Sequence, residues 1–369
     1  MIWLWVGFIA FVLIMLALDL GVFNKTPHAI TTKEALRWVC IFIAMGVCFN
    51  FAVYFIYQNN WLGFGHNFVE QIRLEQAAKL KVPADELATW TPPKGNPAAE
   101  AASAPGRTAA IQFLTGWLTE YSLSVDNIFV IALIFAHFAV QPKYQHRVLF
   151  WGILGALILR GIMIGAGVEL VKNFEWVLYL FGAFLVYTAI KIARGGGDDA
   201  RDFENSLLVR LARKVLPISP SYEADRFFTR LPDGRRAMTP MFLVLLIVEA
   251  TDVVFAVDSI PAIIGITRDP FLVFTSNVFA ILGLRSLYFA LAAMMGKFHY
   301  LKYSLAVVLG FVGIKMLMEM PVINIHVTSW ISLSVIVLAL AAGVVASLLY
   351  AKKHPQIESP PPTTPAGDH

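Results

Sequence analysis

Residues Glu249-Ala250-Thr251-Asp252-Val253-Val254-Phe255-Ala256-Val257-Asp258-Ser259-Ile260-Pro261 set three carboxylates inside an apolar run spanning 239–266. As an α-helix, at about 1.5 Å per residue, that run is long enough to cross a hydrocarbon core about 30 Å thick. A charge at mid-membrane costs about 2.5–3.5 kcal/mol on insertion scales, so acids held there require a compensating role. A related string, Glu120-Tyr121-Ser122-Leu123-Ser124-Val125-Asp126-Asn127-Ile128, lies 132 positions earlier. Aligned on Asp126 and Asp258, Glu120 matches Asp252 and Asn127 matches Ser259. In both copies an acid is followed six positions on by Asp, which Val precedes and a small polar residue and Ile follow.

Working outward, apolar runs recur at 2–23, 36–57, 109–140, 148–171, 175–193, 239–266, 271–295, 300–320 and 327–350, which predicts nine transmembrane helices. The 369 residues are 58% hydrophobic and 15% charged, with a mean hydropathy of +0.67. Soluble domains average about 45–50% apolar and about 25% charged residues. The composition therefore excludes a soluble enzyme, a nucleic-acid binder and a secreted disulfide scaffold, and predicts an all-α membrane protein. The first run has neither a basic n-region nor a small-residue cleavage site, and reads as a retained helix. Three spans separate the two acidic strings. An odd number makes them enter the membrane from opposite sides, as in an inverted repeat of the third to fifth and sixth to eighth spans, with substrate at the interface of the halves.

This divides the chain into two N-terminal helices (1–57), an external Ala/Pro-rich loop (58–107), a first three-helix repeat (108–193), a basic cytoplasmic loop (194–238), a second repeat (239–320), a last helix (321–354) and a disordered tail (355–369). Of 29 Lys and Arg residues, 18 fall on one side of the spans and seven on the other. The positive-inside rule then puts the N-terminus outside and the C-terminus in the cytoplasm, and the expected location is the cell inner (plasma) membrane. Within 194–238, Leu207, Leu208, Leu211 and Val215 alternate with Arg210, Arg213 and Lys214, a pattern suited to a helix lying on the anionic inner leaflet. A short hairpin is expected around Pro232-Asp233-Gly234. The stretch from Val82 to Pro105 reads as a mobile linker. Cys40 and Cys48, about 12 Å apart along one helix, are too distant to bridge and are expected in the core.

On a helix Glu120, Ser124 and Asn127 share a face, as do Glu249, Asp252 and Ser259. Asp126 and Asp258 follow their acids by six residues, a rotation of about 240°, and point elsewhere on a straight helix. Pro261 cannot donate to the Val257 carbonyl and is expected to open the sixth span beside Asp258. Carboxylates, amide oxygens and hydroxyls, with no Cys or His among them, form an oxygen-ligand set for a hard divalent cation. Five acids exceed the charge of one such ion, so some hold protons, and a carboxylate that exchanges a proton for a metal is the minimal part of an antiporter. The competing structural role is ion pairing of these acids with Arg160, Lys191, Arg285 or Lys315 to hold the bundle together.

At these residues the chain resembles the TerC family of integral membrane proteins, with its Alx-type members, among the lysine-exporter-like transporters. The resemblance rests on the two acidic strings, on Leu18-Asp19-Leu20-Gly21-Val22-Phe23, on the run Gln145 to Gly152, on Ser276-Asn277 and on the run Leu282 to Tyr288. It implies manganese efflux, with tellurium resistance as the historical label and metal supply to exported enzymes for some members. The implied metal-path acids fall on Glu120, Asp126, Glu249, Asp252 and Asp258. A second tier falls on Asp19, Asn50, Asn127 and Ser259. Mn²⁺ is then a substrate, with no permanently bound cofactor.

The leading expectation is a secondary transporter, not an enzyme, since GxxxxGK[ST] is absent and coupling must come from an ion gradient or the membrane potential. An intramembrane aspartyl protease also needs two membrane aspartates, but no Gly-x-Gly-Asp element lies within an apolar run, the match at Gly195-Gly196-Gly197-Asp198 falling in the basic loop. A third reading is a non-transporting membrane partner that docks a metalloenzyme or stress-response complex through 194–238. Partners are thus a divalent metal ion, the bilayer and a membrane or metalloenzyme protein, with no nucleic acid.

Overall fold

A computed structural model describes residues 2–21, 32–83, 85–93, 96–138, 140–174, 176–194, 217, 219, 226–230, 235–292, 301–318, 327 and 329–353. The amphipathic stretch expected at 205–216, the turn at Pro232-Asp233-Gly234 and the tail from 355 lie outside these residues.

The described residues are mostly helical and include one two-stranded hairpin. In order the helices are α1 (Ile2–Gly21), α2 (Thr32–Gln58), α3 (Phe64–Lys79), α4 (Pro97–Ser103), α5 (Pro105–His137), α6 (Pro142–Asn173), α7 (Val177–Ala193), α8 (Pro240–Ile264), α9 (Pro270–Leu282), α10 (Leu284–Ala292), α11 (Leu301–Met318) and α12 (Ser329–Lys353). Strands β1 (Phe228–Arg230) and β2 (Arg236–Met238) pair antiparallel between α7 and α8, so the expected hairpin forms. Proline starts α4, α6, α8 and α9, where a missing N–H costs nothing, and forces each preceding cap residue into the extended region.

Five helical stretches, Lys33–Gln58, Tyr144–Val171, Pro240–Ile264, Pro270–Ala290 and Trp330–Ser347, are long and apolar enough to cross a membrane, and shorter apolar helices accompany them. Large apolar side chains such as Ile158, Ile162, Leu180, Leu338 and Leu349 are exposed on the outside of the bundle. Continuous apolar surface of this kind is stable only against lipid. This is an all-α protein embedded in a membrane.

The interior has two parts. Phe8, Phe49, Phe113, Phe271 and Phe279 interlock rings across α1, α2, α5 and α9. A second apolar cluster joins α6, α7, α8 and α11. Helix α5 packs on α8 and α9, α6 packs on α8 and α9, and α7 lies along α11. At the α7–α11 crossing a methyl added to Gly313 would stand 2.8 Å from the Gly182 carbonyl oxygen, and one added to Gly182 would stand 3.1 Å from that of Gly313. Two glycines facing each other set this close approach.

Several expectations are corrected. Pro261 does not open the sixth span: α8 continues to Ile264, and Gly265 N donates to the Pro261 carbonyl at 2.9 Å. With the proline one turn from the end, few bonds remain to disrupt. The seventh span is instead divided at Gly283 into α9 and α10. Cys40 and Cys48 are exposed on α2 rather than packed in the core. The 58–107 segment holds two helices. Arg73 clamps Glu70 through two bonds of 2.7 and 2.8 Å and donates to the Leu87 carbonyl, while Asn96 caps α4 by accepting from Ala98 N at 2.9 Å.

Candidate functional site

The two acidic strings occupy α5 and α8, which pack together, with α6 and α9 closing the space around them. From α6 the side chain of Arg160, 1% exposed, reaches both. Its Nη1 donates to Glu120 Oε1 at 2.7 Å, its Nη2 to Asp252 Oδ1 at 2.8 Å and its Nε to Asp252 Oδ2 at 3.1 Å. The planar guanidinium therefore grips Asp252 with a two-pronged fork and Glu120 with a third N–H, a geometry an ammonium cannot copy. From α9 the amide of Asn277 donates to the same Glu120 Oε1.

The hydrogen bonding is incomplete. Glu120 Oε2, Ser124 Oγ, Ser259 Oγ, Asn277 Oδ1 and Glu249 Oε2 are buried without a hydrogen-bond partner among the described residues. Ser124 follows Glu120 by one turn on the same face of α5, and the Ser259 hydroxyl lies against the Glu120 carboxylate. Buried polar atoms are ordinarily satisfied, because each unmade bond costs about 1–3 kcal/mol. The neighbouring threonine hydroxyls obey that rule, since Thr115, Thr119, Thr251 and Thr275 each donate to a carbonyl one turn back. Five atoms without such a bond gather around the two acids.

Glu249 stands one turn before Asp252, half-buried, with its carboxylate against Gly155 of α6. Any side chain at 155 would occupy the space that this carboxylate fills.

Of the expected site residues, Glu120 and Asp252 meet at Arg160, Ser259 adjoins Glu120, and Asn127 is buried further along α5. Asn50 lies on α2 with its amide oxygen buried and unpartnered. Asp19, Asp126 and Asp258 fall on α1, α5 and α8, but their side chains lie outside the described residues. Among the described residues no three His, Cys, Asp or Glu side chains form a group able to hold a metal ion. Among the described residues two acids, one arginine and one asparagine are joined by hydrogen bonds. Sequence reasoning classed Arg160 among four counter-charges and missed Asn277 as a direct partner, although Ser276-Asn277 stood out as a string.

With its groups ionised, the Glu120–Asp252–Arg160 unit carries one net negative charge, and Glu249 adds a second. Two charges and a surplus of oxygen acceptors suit a hard divalent cation or a pair of protons.

No solved structure matches the chain. An uncharacterised membrane protein of Myxococcus xanthus is 43% identical over 362 residues, 97% of this chain and 96% of its own. Alx of Escherichia coli K12, provisionally named a membrane-bound redox modulator, is 41% identical over 315 residues, 85% of each chain. The chloroplastic thylakoid membrane protein TERC of Arabidopsis thaliana is 44% identical over 239 residues, 65% of this chain and 61% of its own. The model of the integral membrane protein TerC family matches residues 106–355, which include every residue of the Arg160 group. The chain belongs to the TerC family.

Proposed function

We propose that this protein is a secondary transporter that exports a divalent metal ion, Mn²⁺ foremost, from the cytoplasm, with protons returning through the same carboxylates. The observation that carries this reading is the cluster of unpartnered buried oxygens around Glu120 and Asp252. A purely structural ion pair has no use for orphaned acceptors, whereas a site that accepts and releases a cation needs them in its empty state. Arg160 then acts as a tethered cation that neutralises the acids when no metal is bound. The incoming ion competes with it for the same oxygens, and the two charges left by Glu249, Glu120, Asp252 and Arg160 match one M²⁺ or two H⁺.

The packing supports nine spans with an inverted repeat. Contact of α5 with α9 has its counterpart in α8 with α6, as a two-fold relation requires. Gly182 meets Leu317 where Gly313 meets Val186, a reciprocal pairing at one sequence offset. The charge distribution supports an external N-terminus and a cytoplasmic C-terminus in the inner membrane.

The pairing of Arg160 with both acids also favours a second reading, a non-transporting membrane partner in metal stress or metalloenzyme metalation. The provisional redox name of Alx adds no mechanism here, because the two cysteines stand about 12 Å apart along α2. Cells lacking their own Mn²⁺ exporter and expressing Asp252→Asn or Asp258→Asn in the membrane at wild-type level are expected to lose protection against high Mn²⁺. Protection equal to wild type by either variant would remove that residue from the transport path, and by both would remove the proposal.

A further inference from the structure

A cavity of about 120 Å³ lies between the α3–α4 cap and the ends of α5, α7, α8 and α11. That volume accommodates a hydrated ion. Its lining is polar in a particular way. Gln76, 5% exposed, and Gln112 present amide oxygens that are buried and have no partner. Glu75, Glu100 and Asp269 bring three carboxylates to the wall, against two positive charges from Arg268 and Lys315. Arg268 stands 3.6 Å from Glu75, and Asp269 Oδ1 is committed to capping α9 and to the Tyr57 hydroxyl. Burial raises the Asp269 carboxyl towards its neutral form, so the remaining acids and bases of the wall balance, and the two idle acceptor oxygens favour a cation over an anion.

The cavity stands in line with the Arg160 group. Gln112 and Glu120 lie just over two turns apart on α5, about 12 Å along the axis and about 80° apart around it. Between them is Gly116, where an added methyl would meet the Ser276 hydroxyl at 3.2 Å and Ile263 at 3.9 Å. The next residues of α8, Ile264 and Gly265, line the cavity. The seam that holds Glu120 and Asp252 therefore leads towards the cavity and is shut at Gly116, Ile263 and Ser276.

We propose that this cavity is a second, weaker divalent-cation site, placed at the external end of the path, where an ion leaving Glu120 and Asp252 is held by the Gln76 and Gln112 amide oxygens and the Glu75 and Glu100 carboxylates before release. Its place on an export path rests on the transporter reading above; its binding of a cation does not. The α3–α4 cap is then a working part of the protein rather than a spacer.

The test is Mn²⁺ binding to the purified full-length protein, read by the loss of the free-ion electron paramagnetic resonance signal. In an Asp252→Asn background one class of Mn²⁺ binding is expected to remain. Adding Gln76→Leu and Gln112→Leu is expected to weaken it at least tenfold, and adding Glu100→Gln alone several-fold. Should the double leucine variant fail to fold, the Glu100→Gln protein decides. Absence of binding in the Asp252→Asn protein, or binding unmoved by the cavity substitutions, would overturn the inference. Retained cavity binding without Mn²⁺ flux in liposomes would defeat the transport reading and leave this site standing. Normal flux with no cavity binding would do the reverse.

Discussion

Arg160 holds the energetic centre of the molecule in one side chain. It bonds a buried carboxylate, Glu120, and a part-buried one, Asp252, at once, so Arg160→Gln leaves the two acids without this counter-charge. Removing one partner of a buried ion pair costs about 3–5 kcal/mol, and thermal unfolding in detergent is expected to show a loss of that order. Arg160→Lys keeps the charge but cannot reproduce the fork on Asp252. It is expected to keep most of the stability and to lose transport at least tenfold, which separates the positioning role from simple charge balance. Gly155 offers a second residue-level test. The group in the way of a new side chain is the end of the flexible Glu249 carboxylate, so Gly155→Ala is expected to displace Glu249, reducing Mn²⁺ flux several-fold while the melting temperature moves by less than about 4 °C, the equivalent of roughly 1 kcal/mol. At this scale the sequence was legible only in part. Acids inside apolar runs announce themselves by their desolvation cost, and Glu120 and Asp252 were found that way. Which of four basic residues pairs with them depends on helix rotation and register, which no local pattern encodes, and Gly155 carries no signal until the opposite helix is in place.

Helix ends explain why most elements were readable. Asn96-Pro97, Asp269-Pro270 and Thr239-Pro240 each join a cap residue to a proline at the first helical position, and each starts a helix. Asp269 does more, since the Tyr57 hydroxyl from the end of α2 donates to the same oxygen at 2.9 Å and ties that helix to the start of α9. Breaks were harder to place. Pro261 carries the stronger breaking signal, yet the helix ends one turn after it, while Gly283, a weaker breaker, divides a span. Between α7 and α11 the paired glycines control spacing. Gly313→Leu drives a side chain into the Gly182 backbone, where no rotamer relieves the contact. An overpacking cost of about 1–3 kcal/mol is expected, visible as a lowered melting temperature, whereas the same substitution at Gly165, which has open space around it, is expected to be near neutral.

Across the whole molecule, composition was sufficient to read a membrane-embedded helical bundle, because runs of this apolarity have no stable place in water. Packing partners were not readable in that way. The meeting of α5 with α8 depends on α6 and α9 filling the remaining sides, and the α3–α4 cap arises from contacts such as Arg73 with Leu87 that an Ala/Pro-rich composition conceals. Among the described residues the bundle surrounds a buried group of charges with unfilled acceptor capacity, and the export of a divalent cation in exchange for protons proposed above is a function that would use it. Uptake of Mn²⁺ into proteoliposomes, with internal pH followed in the same vesicles, tests this most directly. Wild-type protein is expected to move Mn²⁺ and to move protons in the opposite direction, with both fluxes lost in Glu120→Gln and Asp252→Asn proteins that reconstitute normally. Mn²⁺ flux that persists at the wild-type rate in both variants, or wild-type vesicles that move no Mn²⁺, would contradict the account.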